Sequence, residues 1–149
     1  MDKYYTPTIE EFHIGFEFEE EFNNPNWNKM VRPPKDNYEW VKLKLDTSHS
    51  ISRITSKLKQ EKVRVKYLDI EDIESLGWKL SHEQNSQNPK GFYFTYVFRK
   101  SGMYLDFYPN RKDKITVHNG GHYEDYNCLF TGQVKNKSEL KKLLKMIGV

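Results

Sequence analysis

Alternation of apolar and polar positions is the most legible signal in this chain, and it is clearest between residues 92 and 118. Phe92, Phe94, Tyr96 and Phe98 recur at every second position, the period of a strand that buries one face. Ser101-Gly102 follows as a two-residue hairpin turn. That turn predicts the pairs Lys100–Met103, Arg99–Tyr104, Phe98–Leu105, Val97–Asp106, Tyr96–Phe107 and Thr95–Tyr108, so each inward apolar residue meets another. A slip of one residue would turn Phe and Leu to water, which selects this register. Across the loop Pro109–Asp113 the same logic pairs Phe107 with Ile115, Leu105 with Val117 and Tyr108 with Lys114. Asn119-Gly120-Gly121 turns the chain again, and Cys128–Val134 reads as a last strand.

The first half carries shorter signals. Thr8-Ile9-Glu10-Glu11 has the form of a capping box and predicts one short turn over Ile9–His13. Phe16, Phe18 and Phe22 alternate with Glu17, Glu19 and Glu21, a strand with one buried and one acidic face. Asn23-Asn24-Pro25-Asn26 is a turn cluster, Trp27–Arg32 is expected as the returning strand, and Pro33-Pro34 ends it. Val41, Leu43 and Leu45 alternate with Lys42 and Lys44 as a further strand, with the pairing of residues 23–48 left open. Ser48 or Ser50 caps a helix whose apolar residues are Ile51, Ile54 and Leu58. Val63, Val65 and Tyr67 alternate with Arg64 and Lys66. Asp69 caps a short helix lined by Ile70, Ile73 and Leu76, Gly77 supplies the left-handed residue at its end, and Trp78 folds back on it. Asn85–Lys90 reads as a loop. Asn136, with Glu139 three residues later, opens a C-terminal helix with the stripe Leu140, Leu143, Leu144 and Ile147. Lys137, Lys141, Lys142 and Lys145 lie elsewhere on its surface, and Gly148 ends it.

The expected architecture is one α+β domain over residues 1–149, an antiparallel meander with short helices and a C-terminal helix packed on one face. Within it, residues 1–48 form the less defined hairpin region. A length of 149 residues with 36% hydrophobic and 15% aromatic content fits a self-sufficient core and excludes a disordered chain. No apolar run reaches the length of a membrane span, and no secretory signal is seen at Met1–Tyr5. The single Cys128 excludes an intramolecular disulfide and fits a cytoplasmic location. Net charge is only +3, yet residues 1–25 carry seven acids and one base, so the rest of the chain is basic by +9.

The predicted pairing leaves one sheet face over. Across three strands it reads Arg99–Tyr104–His118, then Val97–Asp106–Thr116, then Thr95–Tyr108–Lys114, with Tyr93 at the end. Tyrosines can stack a planar ring, and Arg99, Lys114, Arg111 or Lys112 can pair with phosphate. Against this stands the ordinary strand propensity of Tyr and Thr on a solvated face. Other chemistry is thinner. His118 and His122, with Glu124 and Asp125, flank a Gly-Gly turn without metal-ligand spacing, so no metal is expected. Glu17, Glu19 and Glu21 form an acidic ridge, or an edge made repulsive to stray pairing. Cys128 is a nucleophile only if His118 or His122 approaches it, and is otherwise expected in the core with Phe130 and Val134. No phosphate loop, nucleophile elbow or zinc-protease motif is present.

Three blocks carry a family resemblance. They are Tyr4-Tyr5-Thr6-Pro7-Thr8-Ile9-Glu10-Glu11-Phe12-His13-Ile14-Gly15-Phe16-Glu17-Phe18, the run Val65–Trp78, and Leu129-Phe130-Thr131-Gly132 followed by Asn136–Lys145. Together they cover about half of the chain, and it resembles small uncharacterised proteins of phages and bacterial mobile elements. The matching residues are caps, core positions and strand alternation, so the resemblance implies fold and no catalytic residue. Phage accessory proteins of this size are often inhibitors of host defence, and some sequester nucleotide signals. The first expectation is therefore a non-enzymatic accessory protein that binds a phosphorylated nucleotide through Tyr93, Arg99, Tyr104, Tyr108 and Lys114, with no cofactor. A homo-oligomer is expected, because a flat face becomes a pocket only when something closes it. The second is a protein–protein inhibitor acting on a host factor through Glu17–Glu21 and the aromatics near Trp27 and Trp40. A third is nucleic-acid binding through Lys57, Lys59, Lys62, Arg64 and Lys66 with the C-terminal helix, which the acidic N-terminal segment opposes. A fourth is an enzyme that degrades a nucleotide signal.

Overall fold

The alternating runs assemble into two antiparallel sheets in a computed structural model of the protein. The structure describes residues 3–23, 38–88, 91–109, 114–120 and 127–149, with the side chains of residues 23, 86–88 and 91–93 outside that set. The chain divides into two compact units, Met1–Lys66 and Tyr67–Val149. Among the described residues no helix is long and apolar enough to cross a membrane.

The first unit holds a sheet of β1 (Tyr4–Tyr5), β2 (Glu17–Asn23), β3 (Tyr38–Lys44) and β4 (Val63–Lys66), in the order β1-β4-β2-β3. Helix α1 (Ile51–Lys59) and a 3-10 turn (Ile9–Glu11) complete it. The turn starts as its capping box predicts, with Glu11 Oε1 accepting the Thr8 amide at 3.1 Å. Phe16, Phe18, Leu45, Ile54, Val63 and Val65 form the core, and Phe12 packs its ring 4.9 Å from that of Phe16.

Two expectations change here, and a third falls on residues outside those described. The partner of β2 on that side is β3, in the register Phe18–Leu43 and Glu20–Val41; the expected returning strand Trp27–Arg32 lies outside the described residues. With β3 on one side and β4 on the other, β2 is an inner strand, so its acids do not guard an edge. Ile51 leaves the helix's apolar stripe and is 71% exposed, because it is the first residue of α1 and only Ile54 of that helix is fully buried.

The second unit is the meander: β5 (Lys79–Asn88), β6 (Gly91–Lys100), β7 (Met103–Tyr108), β8 (Lys114–Asn119) and β9 (Asn127–Gln133), each paired with the next. The β6–β7 ladder follows the expected register from Lys100–Met103 to Tyr96–Phe107, stopping short of Thr95–Tyr108. Tyr108–Lys114, Phe107–Ile115 and Leu105–Val117 pair as expected between β7 and β8. At the hairpin, Ser101 and Gly102 both have positive φ, 49° and 81°, the backbone that two-residue turns require.

Helices α2 (Ile70–Glu74) and α3 (Lys137–Met146) cover one face of this sheet. Ile73, Leu140 and Leu144 meet Trp78, Phe98, Leu105, Ile115 and Val117 in one buried cluster. Both helices start on their predicted caps: Asp69 Oδ1 accepts the Asp72 amide and Asn136 Oδ1 the Glu139 amide, each at 2.9 Å. Gly77 at φ 85° ends the α2 turn and delivers Trp78 to the core.

Three departures share one cause, the position of a residue within the sheet. Strand β5 runs through Asn88, although Asn85–Lys90 reads as a loop. Its backbone pairs with β6, and hydrogen bonding needs no apolar alternation; residues 79–85 of the strand are exposed on both faces. Phe94 is 40% exposed, because it pairs with Asn85 beyond the last β6–β7 pair. Cys128 is exposed instead of lying in the core: the β8–β9 register shifts between Val117 and His118, and Phe130 and Val134 supply the apolar contacts.

Candidate functional site

The sheet face turned away from α2 and α3 is a lattice set by register. One row runs Lys79–Arg99–Tyr104–His118–Cys128, and the next His82–Val97–Asp106–Thr116–Thr131. Residues directly opposite on neighbouring strands share a face, so each row gathers side chains from five segments of chain.

The central side chains touch in sequence. Arg99 Cζ stands 4.8 Å from the Tyr104 ring centroid. On the next strand the His118 imidazole is stacked on the same ring, centroids 5.2 Å apart. His118 Nε2 lies 3.5 Å from Asp106 Oδ2, which also accepts from the Tyr108 hydroxyl at 3.4 Å. Lys114 Nζ sits 5.8 Å from the Tyr108 ring centroid. A continuous run, Arg99–Tyr104–His118–Asp106–Tyr108–Lys114, therefore crosses three strands with a cation at each end.

Burial tells which of these a ligand can meet. Thr95, Val97, Thr116 and His118 are buried. Arg99 is exposed, and Tyr104, Asp106, Tyr108 and Lys114 are half-buried. Tyr104 is flanked by Arg99 on one neighbouring strand and His118 on the other, so the exposed Arg99 guanidinium lies against the tyrosine ring. Desolvation raises the Asp106 carboxyl above its ordinary range, opposed by the neighbouring His118, the Tyr108 hydroxyl and His82.

Of the residues predicted for this face, Arg99, Tyr104, Tyr108 and Lys114 come together as expected. Tyr93 pairs through its backbone with Ser86 on β5, and its side chain lies outside the described residues. Arg111, Lys112, His122, Glu124 and Asp125 also lie outside them. His82 is the addition: the reading of residues 85–90 as a loop hid the strand that carries it, and the register shift between Leu80 and His82 sets its row. Asp106 stands in the predicted rows, but its tie to His118 is diagonal and needs side-chain geometry. Among the described residues no cluster of His, Cys, Asp and Glu is arranged to hold a metal ion.

The acidic strand of the first unit has a different character. Glu19 Oε2 accepts from Arg64 Nε at 2.8 Å, and the guanidinium lies between the rings of Tyr4 and Trp40, 3.9 and 4.0 Å from their centroids. Lys62 is 3.7 Å from Glu21, and Glu17 stands opposite Lys44. Glu20 points to the core side, where Arg53 and Lys57 of α1 each reach Oε1 at 3.0 Å. Of the bases proposed for nucleic acid, Lys57, Lys62 and Arg64 thus each meet one of the acids proposed for a host protein.

No family model, no curated protein and no solved structure matches this chain.

Proposed function

We propose that this is a non-enzymatic binding protein whose second-sheet face takes a small phosphorylated ligand with a planar ring, in the manner of a phage accessory protein that sequesters a nucleotide signal. The run from Arg99 to Lys114 on the face that the helices leave uncovered carries this reading. Arg99 offers a flat cation for a base to stack on and a fork for phosphate, and Lys114 offers a second charge two rows away. Tyr104 and Tyr108 hold those cations by their rings and contribute apolar area. The internal neutralisation of Glu17–Glu21 weighs against the acidic strand as a docking element for a host protein.

A face this shallow buries little of a ligand, so closure by a second subunit belongs to the proposal. The test is a thermal-shift series with cyclic dinucleotides, cyclic oligonucleotides and ADP-ribose derivatives at about 100 μM, where tight binding must raise the melting temperature. Arg99→Ala and Lys114→Ala should each reduce the shift. Absence of any shift across the series overturns the reading, and light scattering with the best ligand tests closure by a second copy.

A further inference from the structure

We infer that the first unit carries a second, independent binding site: a pocket between the 12–15 turn and the start of α1 that takes a small aromatic molecule presenting an N–H or O–H donor. The pocket has a volume of about 320 Å³, at the lower end of the range for small-molecule sites. Its walls are Ile9, Phe12, Leu45 and Ile54. Its lip carries Ile14 and Ile51, 66% and 71% exposed, two large apolar side chains left in water at the same opening.

Both sides of the opening are tied down. The Gly15 amide donates to Leu45 O, and the Leu45 amide to Phe16 O, each at 2.8 Å. Beyond Leu45 the Asp46 carboxylate gathers the Ser48 amide at 2.9 Å and the Ser48 hydroxyl at 2.5 Å through Oδ1. The shape is therefore set before a ligand arrives, which lowers the ordering cost of binding.

The polar part of the lining decides the ligand class. His13 Nδ1 lies 2.9 Å from the carbonyl oxygen of Glu11, and a carbonyl only accepts, so Nδ1 bears the proton. His49 Nδ1 lies 2.8 Å from Asp46 Oδ1 and also 3.3 Å from the Asp46 amide; the shorter contact, to an ionised carboxylate, puts the proton on Nδ1 again. With Nδ1 holding the proton, the Nε2 of either ring in its neutral form is an acceptor, and Asp46 adds carboxylate oxygens. An apolar hollow edged with acceptors complements an apolar ring with one donor, such as an indole or a phenol. It disfavours a carboxylate, which would face Asp46.

The experiment is a methyl NMR titration of the full chain with indole and with 1-methylindole, which has the ring and lacks the donor. Indole should shift the Ile14, Ile51 and Ile54 methyls and bind about tenfold tighter than 1-methylindole, the worth of one hydrogen bond. His13→Phe and His49→Phe keep an aromatic ring and remove the acceptor, so one or both should bring that ratio close to unity. Ile51→Glu changes an exposed residue and should abolish binding while the fold is kept. Equal affinity for the two ligands overturns the inference, as do shifts confined to other methyls. So does the absence of shifts up to about 5 mM, where ligands this small bind measurably. None of these residues lies on the second sheet, so either site can fail without the other.

Discussion

Tyr104 and His118 lie face to face on adjacent strands, their planes 6° apart. The pair holds the tyrosine ring upright between β6 and β8, where Arg99 rests against it. Tyr104→Leu removes the surface that positions the guanidinium. It should weaken the best nucleotide ligand by about tenfold, within the range of ring-stacking contributions. Tyr104→Phe should keep affinity within about twofold, since the ring rather than the hydroxyl makes both contacts. Calorimetric titration of the two variants checks the difference.

Two aspartates should pull the acid stability in opposite directions. The Asp106 carboxyl is raised from 3.8 by burial, so its ionisation costs the folded state; its contribution is complete below pH 3.8 and is lost as pH rises through the folded value. Asp106→Asn should therefore raise the melting temperature at pH 7 and leave it unchanged at pH 3. Asp46 is lowered to about 2, first by the Ser48 hydroxyl and then by His49. Its contribution is present above pH 3.8 and disappears as pH falls toward about 2. Asp46→Asn should lower the melting temperature at pH 7, with the difference closing at pH 2. Melting curves of both variants across pH 2–7 distinguish the signs.

Glu20 is the buried member of a three-residue ion cluster, its side chain 3% exposed against 52% for Arg53 and 26% for Lys57. Both cations also lie over the Phe22 ring, at 5.7 and 5.5 Å. Glu20→Ala leaves a gap and breaks both charged contacts, and should cost about 2–3 kcal/mol in urea unfolding. Glu20→Met should cost less than about 1 kcal/mol, because the released cations can turn to water and the methionine fills the space. If the two variants are equally unstable, the carboxylate itself and not its volume holds the cluster.

Ser101 occupies a left-handed conformation at φ 49° without being glycine. Asparagine tolerates that region better and is the preferred residue before glycine in such turns. Ser101→Asn should stabilise the protein by about 0.5 kcal/mol and leave the β6–β7 register untouched. Chemical denaturation gives the first quantity, and the backbone amide pattern of Lys100 and Met103 the second.

Local chemistry announced itself well in this chain. The caps at Asp69 and Asn136, the turn at Ser101-Gly102 and the break at Gly77 each depend on residues within a few positions of one another. The β6–β8 register was legible for a related reason: one tight turn and one strict alternation leave a single pairing that keeps Phe98, Leu105 and Val117 out of water. The same reasoning placed Arg99, Tyr104, His118, Asp106, Tyr108 and Lys114 on one face, because facing side follows from register. It missed His82, which sits in a strand too polar to show any period.

Period, caps and turn residues were enough to settle the β6–β8 part of the meander, its inward face and the helices that cover it, because those are decided by short-range sterics and by which side chains avoid water. They could not settle that β2 lies inside its sheet, that its glutamates are matched by Arg64, Lys62, Arg53 and Lys57, or that the 12–15 turn meets the start of α1 around a pocket. Those depend on contacts between segments far apart in the chain, where backbone hydrogen bonding is indifferent to side-chain identity and a charge finds its partner only once the fold has brought the two together.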